Sequence, residues 1–230
     1  NKIFYTLFEF PYGKLVSYNF NKNNIDTIGI QHGPASRRKL YHYLPTSKCH
    51  KFDSIYLPNK ILCEDYYSKN IYMEGLFQNI HLMDSIPRIS YLDTLKKNLL
   101  KSSKNKVQII FGGLHDSNEI INELNKYIHE ADEIIYFKPH PRSNLTSKTL
   151  KTITETNNIF LTNDHVLKLL PRCKNVITTY SSLALEALIL NIDVLIVDIP
   201  GLINLSPLSD KNYIFNQETT SKIRFLSRKN

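Results

Sequence analysis

Residues 107–138 read VQIIFGGLHDSNEIINELNKYIHEADEIIYFK, and their pattern decides the fold. The apolar run from Val107 to Phe111 is closed by Gly112 and Gly113, as a strand entering a turn would be. Over 119–130 the residues Ile120, Ile121, Leu124, Tyr127 and Ile128 recur at helical spacing, with Ser117 placed as an N-cap two residues before that run. A second apolar run covers 133–138. Strand, helix and strand in this order are the repeating unit of a mostly parallel sheet covered by helices.

The alternation continues outward. Further strands are expected over 3–8, 27–31 and 54–57 on one side, and over 159–161, 175–178 and 193–197 on the other. The class is therefore α/β. Between Asp93 and Lys106 the chain turns polar and lysine-rich, which reads as a solvated linker. Two Rossmann-like domains follow: a first over 1–95 with about three strands and a second over 106–230 with about five. Asn1, in place of Met, stands one residue before the first apolar run, so the first half is expected to be incomplete and the chain a piece of a longer one.

Composition excludes several classes. A chain of 230 residues with 42% hydrophobic content can bury one sizeable core or two small ones. No apolar run reaches the roughly 18 to 20 residues that span a bilayer, and no signal peptide opens the chain, so a cytoplasmic protein is expected. Cys49, Cys63 and Cys173 have neither CxxC spacing nor an even count, and read as reduced thiols. The net charge of +8 suits an anionic partner, although Lys and Asn are abundant throughout.

Three segments follow expected strands, where ligands bind in open α/β sheets. The first is Gly29-Ile30-Gln31-His32-Gly33-Pro34, followed by Ser36, Arg37, Arg38 and Lys39. His32 there is either a general base or partner for an anion, or a histidine that only braces the turn. The second is Tyr136-Phe137-Lys138-Pro139-His140-Pro141-Arg142. Its two prolines stiffen the exit, and Lys138, His140 and Arg142 form either a nucleotide-binding set or an incidentally basic loop. The third is Thr178-Thr179-Tyr180-Ser181-Ser182, opening a helix over 183–190. Ser181 and Ser182 either bind phosphate with free backbone N–H groups or simply cap the helix. Glu186, one turn on, reaches a ribose hydroxyl or is a solvated helix residue.

In that order, the Gln-His-Gly turn, the Lys-Pro-His-Pro segment and the Tyr-Ser-Ser helix start resemble bacterial glycosyltransferases of the GT-B fold, over most of the chain. The resemblance runs to enzymes of surface polysaccharides that use CMP-sugars, the polysialyltransferases and Kdo transferases, and to the teichoic acid glycerophosphotransferases that use CDP-glycerol. It implies that His140 and Pro141 contact a cytidine nucleotide and that Ser181 and Ser182 bind its phosphates; Lys138, Arg142, Tyr180 and Glu186 complete the set of nucleotide-binding candidates in these segments. His32-Gly33-Pro34 resembles the His-Gly-Thr-Pro segment of the glycerophosphotransferases, whose histidine is the base, although Ala35 and Ser36 depart from it. Glu9, with Gly13 four residues on, is the nearest match to the acidic pair and glycine of the polysialyltransferases, and is the second candidate base.

The function this implies is metal-independent, inverting transfer from a nucleotide-activated sugar, CMP-linked by resemblance, to a glycan acceptor in capsule or lipopolysaccharide synthesis. No cofactor and no nucleic acid are expected, and peripheral association with the inner membrane is. The lack of a DxD-like pair at a strand end agrees with metal independence. Alternatives are a CDP-polyol phosphotransferase, a nucleotide-sugar epimerase of the same fold, a piece that binds nucleotide without catalysis, and a basic nucleic-acid-binding domain. The last lacks basic residues interleaved with aromatics and any helix-turn-helix or zinc module.

Overall fold

The computed structural model describes residues 1–44, 54–84, 91–92, 95–96, 107–128, 133–210 and 222–226. Cys49 and all of the 93–106 stretch except Leu95 and Lys96 lie outside the described residues, as do residues 129–130 of the expected helix. The chain packs into two compact units, Asn1–Ile86 with Pro207–Asn216, and Pro87–Ser206 with Gln217–Asn230.

The first unit is a parallel sheet of β1 (Lys2–Thr6), β2 (Asp26–Ile30), β3 (Lys60–Cys63) and β4 (Ile80–Leu82), in that spatial order. Helices α1 (Pro11–Lys22) and α2 (Tyr66–Glu74) make crossovers, as parallel pairing requires. Pro11 suits the first turn of α1, where its missing N–H costs nothing. Gly13 lets that turn lie on the preceding loop, since a Cβ there would stand 2.3 Å from the Leu7 carbonyl oxygen. Asp65 caps α2 by accepting the Ser68 N–H at 2.6 Å. Phe8, Ile61, Cys63, Ile71, Tyr72 and Phe77 lie at the centre of the core.

The strand expected over 54–57 is a single 3-10 turn, Ser54–Tyr56, and the real strand starts at Lys60. The apolar pattern misleads there because Pro58 has no N–H to give a central strand, and the carbonyls of Ile55 and Leu57 are taken by the Asn21 side chain instead.

The second unit is a six-stranded parallel sheet in the order β10-β9-β8-β5-β6-β7. Its elements are β5 (Val107–Phe111), α3 (Ser117–Ile128), β6 (Ile135–Lys138), α4 (Ser147–Glu155), β7 (Ile159–Leu161), α5 (Val166–Leu169), β8 (Cys173–Thr178), α6 (Leu183–Ile189), β9 (Asp193–Val197) and β10 (Ile223–Leu226). From β5 the chain builds outward through β6 and β7, then returns to lay β8 on the other side of β5. That reversal is a topological switch point. Ile110, Ile120, Ile121, Leu124, Phe137 and Ile177 pack in the core, so the expected helical face is buried at Ile120, Ile121 and Leu124. The two parallel sheets are two Rossmann-like halves of an α/β fold.

His42 ties the first unit together. It is 2% exposed, packs edge-on against Tyr41 and Tyr72, and places Nδ1 within 3.4 Å of both the amide and the carbonyl of Ser36. The chain then crosses the end of α2 so closely that a Cβ on Gly75 would stand 1.9 Å from the His42 carbonyl oxygen. Burial pushes the His42 imidazole down to about 4, so it folds neutral. Between about pH 6.5 and 4 the unfolded chain binds a proton there that the folded chain does not, so stability falls as pH falls, by on the order of 3 kcal/mol across the window. Urea unfolding over that range should show this slope in the wild type and lose it in His42→Asn; an equal slope in both would remove His42 as its source.

Candidate functional site

One register organises the second unit. Phe111 at the end of β5 pairs with Lys138 at the end of β6 and with Thr178 at the end of β8. Three strands therefore stop level, and the segments Gly112–Ser117, Pro139–Arg142 and Thr179–Ser182 leave the sheet side by side at the switch point. The second and third sequence segments are thereby brought together. A stretch between them, Gly112 to Ser117, enters the site without having been read as part of it.

His140 is half-buried, and its Nδ1 accepts the Arg142 N–H at 3.1 Å. Burial first, then Arg142 and His115, hold its pKa below the ordinary value, so the neutral ring carries its proton on Nε2 as a donor. Ser143 N–H and Oγ both donate to the His140 carbonyl, closing a rigid turn. Lys138 is half-buried, and Pro141 and Arg142 are exposed.

Tyr180, Ser181 and Ser182 are half-buried. The Ser182 hydroxyl makes no capping bond to α6, and Ser181 Oγ accepts the Leu183 N–H at a long 3.3 Å. Capping by the serines is therefore weak, and the hydroxyls can turn toward a ligand. Helix α6 is buried along its length, and Glu186, 5% exposed, accepts the Tyr91 hydroxyl. It is an interior residue and not a solvated one.

Asp116 and Ser117 are each 1% exposed. Asp116 Oδ1 accepts the Gly113 N–H at 2.6 Å and its Oδ2 accepts the Thr179 hydroxyl. Burial pushes this carboxyl up to about 6 even against the backbone N–H donors of Gly113 and Asp116. The Tyr180 ring lies so near Gly113 that a Cβ there would come within 2.9 Å of it, and the Tyr180 hydroxyl accepts the His115 N–H at 3.4 Å. Ser117 is the first residue of α3, and its hydroxyl turns back to the Gly113 carbonyl at 2.6 Å. The glycine pair before an expected helix was the available signal in the sequence; the reach of Asp116 to Thr179, 63 residues on, had none.

In the first unit Glu9 follows β1 and His32 follows β2, strands that pair directly. Glu9 is 4% exposed; the Tyr72 hydroxyl donates to Oε1, while Oε2 is buried with no hydrogen-bond partner among the described residues. Burial raises the Glu9 pKa, and Lys39 opposes the rise. Burial in turn lowers Lys39 to about 8, and its Nζ donates to the Pro34 carbonyl at 2.6 Å. Burial and the Glu9 charge together raise Tyr41 to about 12. His32 is exposed. Its turn is held by the buried Gln31, which donates to the Gly33 carbonyl and to Ser68 Oγ and accepts the Glu64 N–H, with Gly33 at φ 73.

The basic run after this turn is mostly consumed internally. Ser36 is buried, and Arg37 forms a bidentate pair with Glu74 and a bond to Asp210 at 2.8 Å over the Tyr67 ring. Among the described residues no helix is long and apolar enough to cross a membrane, and no group of three or more His, Cys, Asp or Glu side chains could hold a metal ion.

No protein-family model and no curated protein matches the sequence. Among solved structures, the chain is similar to the UDP-GlcNAc 2-epimerase of Neisseria meningitidis bound to UDP-GlcNAc, with a TM-score of 0.59 and 15% identity over 85% of this chain and 58% of that one. The wall teichoic acid polymerase TagF gives a TM-score of 0.46 at 18% identity, over 75% of this chain and 50% of that one. MurG of Acinetobacter baumannii gives 0.47 at 8% identity, over 93% and 56%. The chain thus spans little more than half the length of these proteins. At such identities the likeness is one of fold, and it is the first of the three that carries it: an α/β chain of two Rossmann-like halves.

Proposed function

We propose that the protein is a glycosyltransferase of bacterial surface-polysaccharide synthesis that takes a sugar from a nucleotide donor bound by the second unit. The observation that carries the reading is the level ending of β6, β5 and β8, which gathers a donor imidazole at His140, two weakly engaged hydroxyls at Ser181 and Ser182, and the cations Lys138 and Arg142 at one switch point. Hydroxyls and N–H groups suit a pyrophosphate or phosphate, and an N–H donor beside a proline-stiffened turn suits a base or ribose. A cytidine nucleotide is favoured by the Lys-Pro-His-Pro and Tyr-Ser-Ser resemblance. The first unit supplies the acceptor side, with Glu9 as the base: a buried carboxylate of raised pKa with one unpartnered oxygen is better suited to take a hydroxyl proton than the exposed His32. Fixed donors and cations stabilise the leaving phosphate, and displacement inverts the anomeric centre.

A nucleotide-sugar epimerase is the second reading, because a protein of similar fold is an epimerase with UDP-GlcNAc bound. An epimerase turns over its nucleotide sugar with no acceptor present, whereas a transferase without acceptor shows only slow hydrolysis.

Titration with CMP, CDP, UDP and GDP, read by calorimetry and thermal shift, should give micromolar binding of a cytidine nucleotide. His140→Ala and the Ser181→Ala/Ser182→Ala pair should each weaken it by about tenfold or more. No shift with any of the four would reject the nucleotide site. Glu9→Gln should lower turnover about a hundredfold without changing nucleotide affinity, and His32→Ala by less than about tenfold. The reverse order would move the base to His32.

A further inference from the structure

The candidate ligand segments of the second unit are held by two adjacent side chains reaching in different directions from the start of α3. Asp116 spans the switch point: it joins the Gly113 amide of the β5 loop to the Thr179 hydroxyl of the β8 loop, one residue before Tyr180-Ser181-Ser182. Ser117 serves the other side. Its hydroxyl donates to the Gly113 carbonyl at 2.6 Å and accepts the His140 N–H at 3.4 Å, a longer and weaker bond. Gly113 lies between the two and admits no side chain, because a Cβ would stand 2.5 Å from Asp116 Oδ1 and 2.9 Å from the Tyr180 ring. Asp116 has a loop donor on each carboxylate oxygen and Ser117 shares its hydroxyl between Gly113 and His140, so both act on the loops that carry the candidate ligand groups.

We propose that Asp116 and Ser117 are positioning residues that separately preset the two halves of the nucleotide site, Asp116 the Tyr180-Ser181-Ser182 segment and Ser117 the His140 turn. The inference rests on the nucleotide reading above and deepens it. A ligand site made of loops binds tightly only when the loops are ordered beforehand, since ordering them on binding subtracts from affinity. Asp116 closes both its oxygens on donors from two loops, so it orders the β8 exit without occupying the ligand position. Ser117 does the same for the β6 exit through a hydroxyl shared between an acceptor and a donor.

Two separate presets predict a crossed pattern of coupling that general destabilisation cannot produce. With CMP, CDP and UDP as probes on the full chain, Asp116→Ala should weaken binding about tenfold and make a further Ser182→Ala change nearly silent, while His140→Ala keeps its full cost. Ser117→Ala should give the opposite pairing, with a smaller loss of about threefold because its bond to His140 is longer, and Ser117→Thr should restore affinity. Amide exchange in the nucleotide-free protein should quicken over 179–183 in Asp116→Ala and over 139–143 in Ser117→Ala. Affinities unchanged in both alanine variants, or losses that add independently of which segment is altered, overturn the inference. A wild type that binds none of the three probes overturns the nucleotide reading and this inference together, whereas a binding wild type with unchanged variants overturns this inference alone.

Discussion

The pairing of Phe111 with Lys138 on one side and Thr178 on the other is the constraint on which the second unit depends. Past an irregularity at Val107/Gln108 in the β5–β8 pair, both pairings run in unbroken parallel register to the strand ends. Ile110, Phe137 and Ile177 are all core residues, which locks the three strands level. Once they end together, His140 and the Thr179–Ser182 run emerge as neighbours although about forty residues separate them in the chain. Loop chemistry decides only the local aim: Pro139 and Pro141 stiffen one exit, and the Tyr180 ring over Gly113 fixes the other.

Part of the charge is paired locally. The net +8 includes Arg37, engaged by Glu74 and Asp210, Lys39, half-buried near Glu9, and Lys174, paired with Glu133. In the cluster from Ser36 to Lys39, Ser36 is buried, Arg37 is paired with Glu74 and Asp210 and Lys39 donates to the Pro34 carbonyl, while Arg38 is exposed. Formal charge counts residues; a binding field requires them exposed and on one face.

The sequence reveals the architecture better than the details. Periodicity identifies β5, α3, β7 and β9 nearly to the residue, because a buried parallel strand and an amphipathic helix each leave a local pattern. It misses β3, β4 and β10, and it turns the Ser54–Tyr56 turn into a strand, since no local pattern records that Asn21 competes for the carbonyls there. In the candidate site, the placement of His140, Ser181 and Ser182 at strand ends is legible because proline and hydroxyl runs there are local signals. Asp116, Ser117 and Tyr72 are not: each acts through a partner distant in sequence, and an aspartate in a polar loop looks the same whether it is solvated or holds two strands' exits together.

Two buried acids at strand ends illustrate how environment separates support from reactivity. Asp116 and Glu9 are similarly hidden, and burial raises the pKa of both. Removing a carboxylate from water costs several kcal/mol unless donors replace the water. Asp116 has a donor on each oxygen, from the Gly113 loop and the Thr179 loop, and holds the two together. Glu9 has Tyr72 on one oxygen and no hydrogen-bond partner on the other among the described residues, with Tyr72 and Lys39 favouring the charged form. A proton arriving at Glu9 Oε2 therefore breaks no bond and relieves an unsatisfied buried atom. Burial thus pushes both acids toward the neutral form, Asp116 against its loop donors and Glu9 against Tyr72 and Lys39, and what separates them is that only Asp116 ties two loops together.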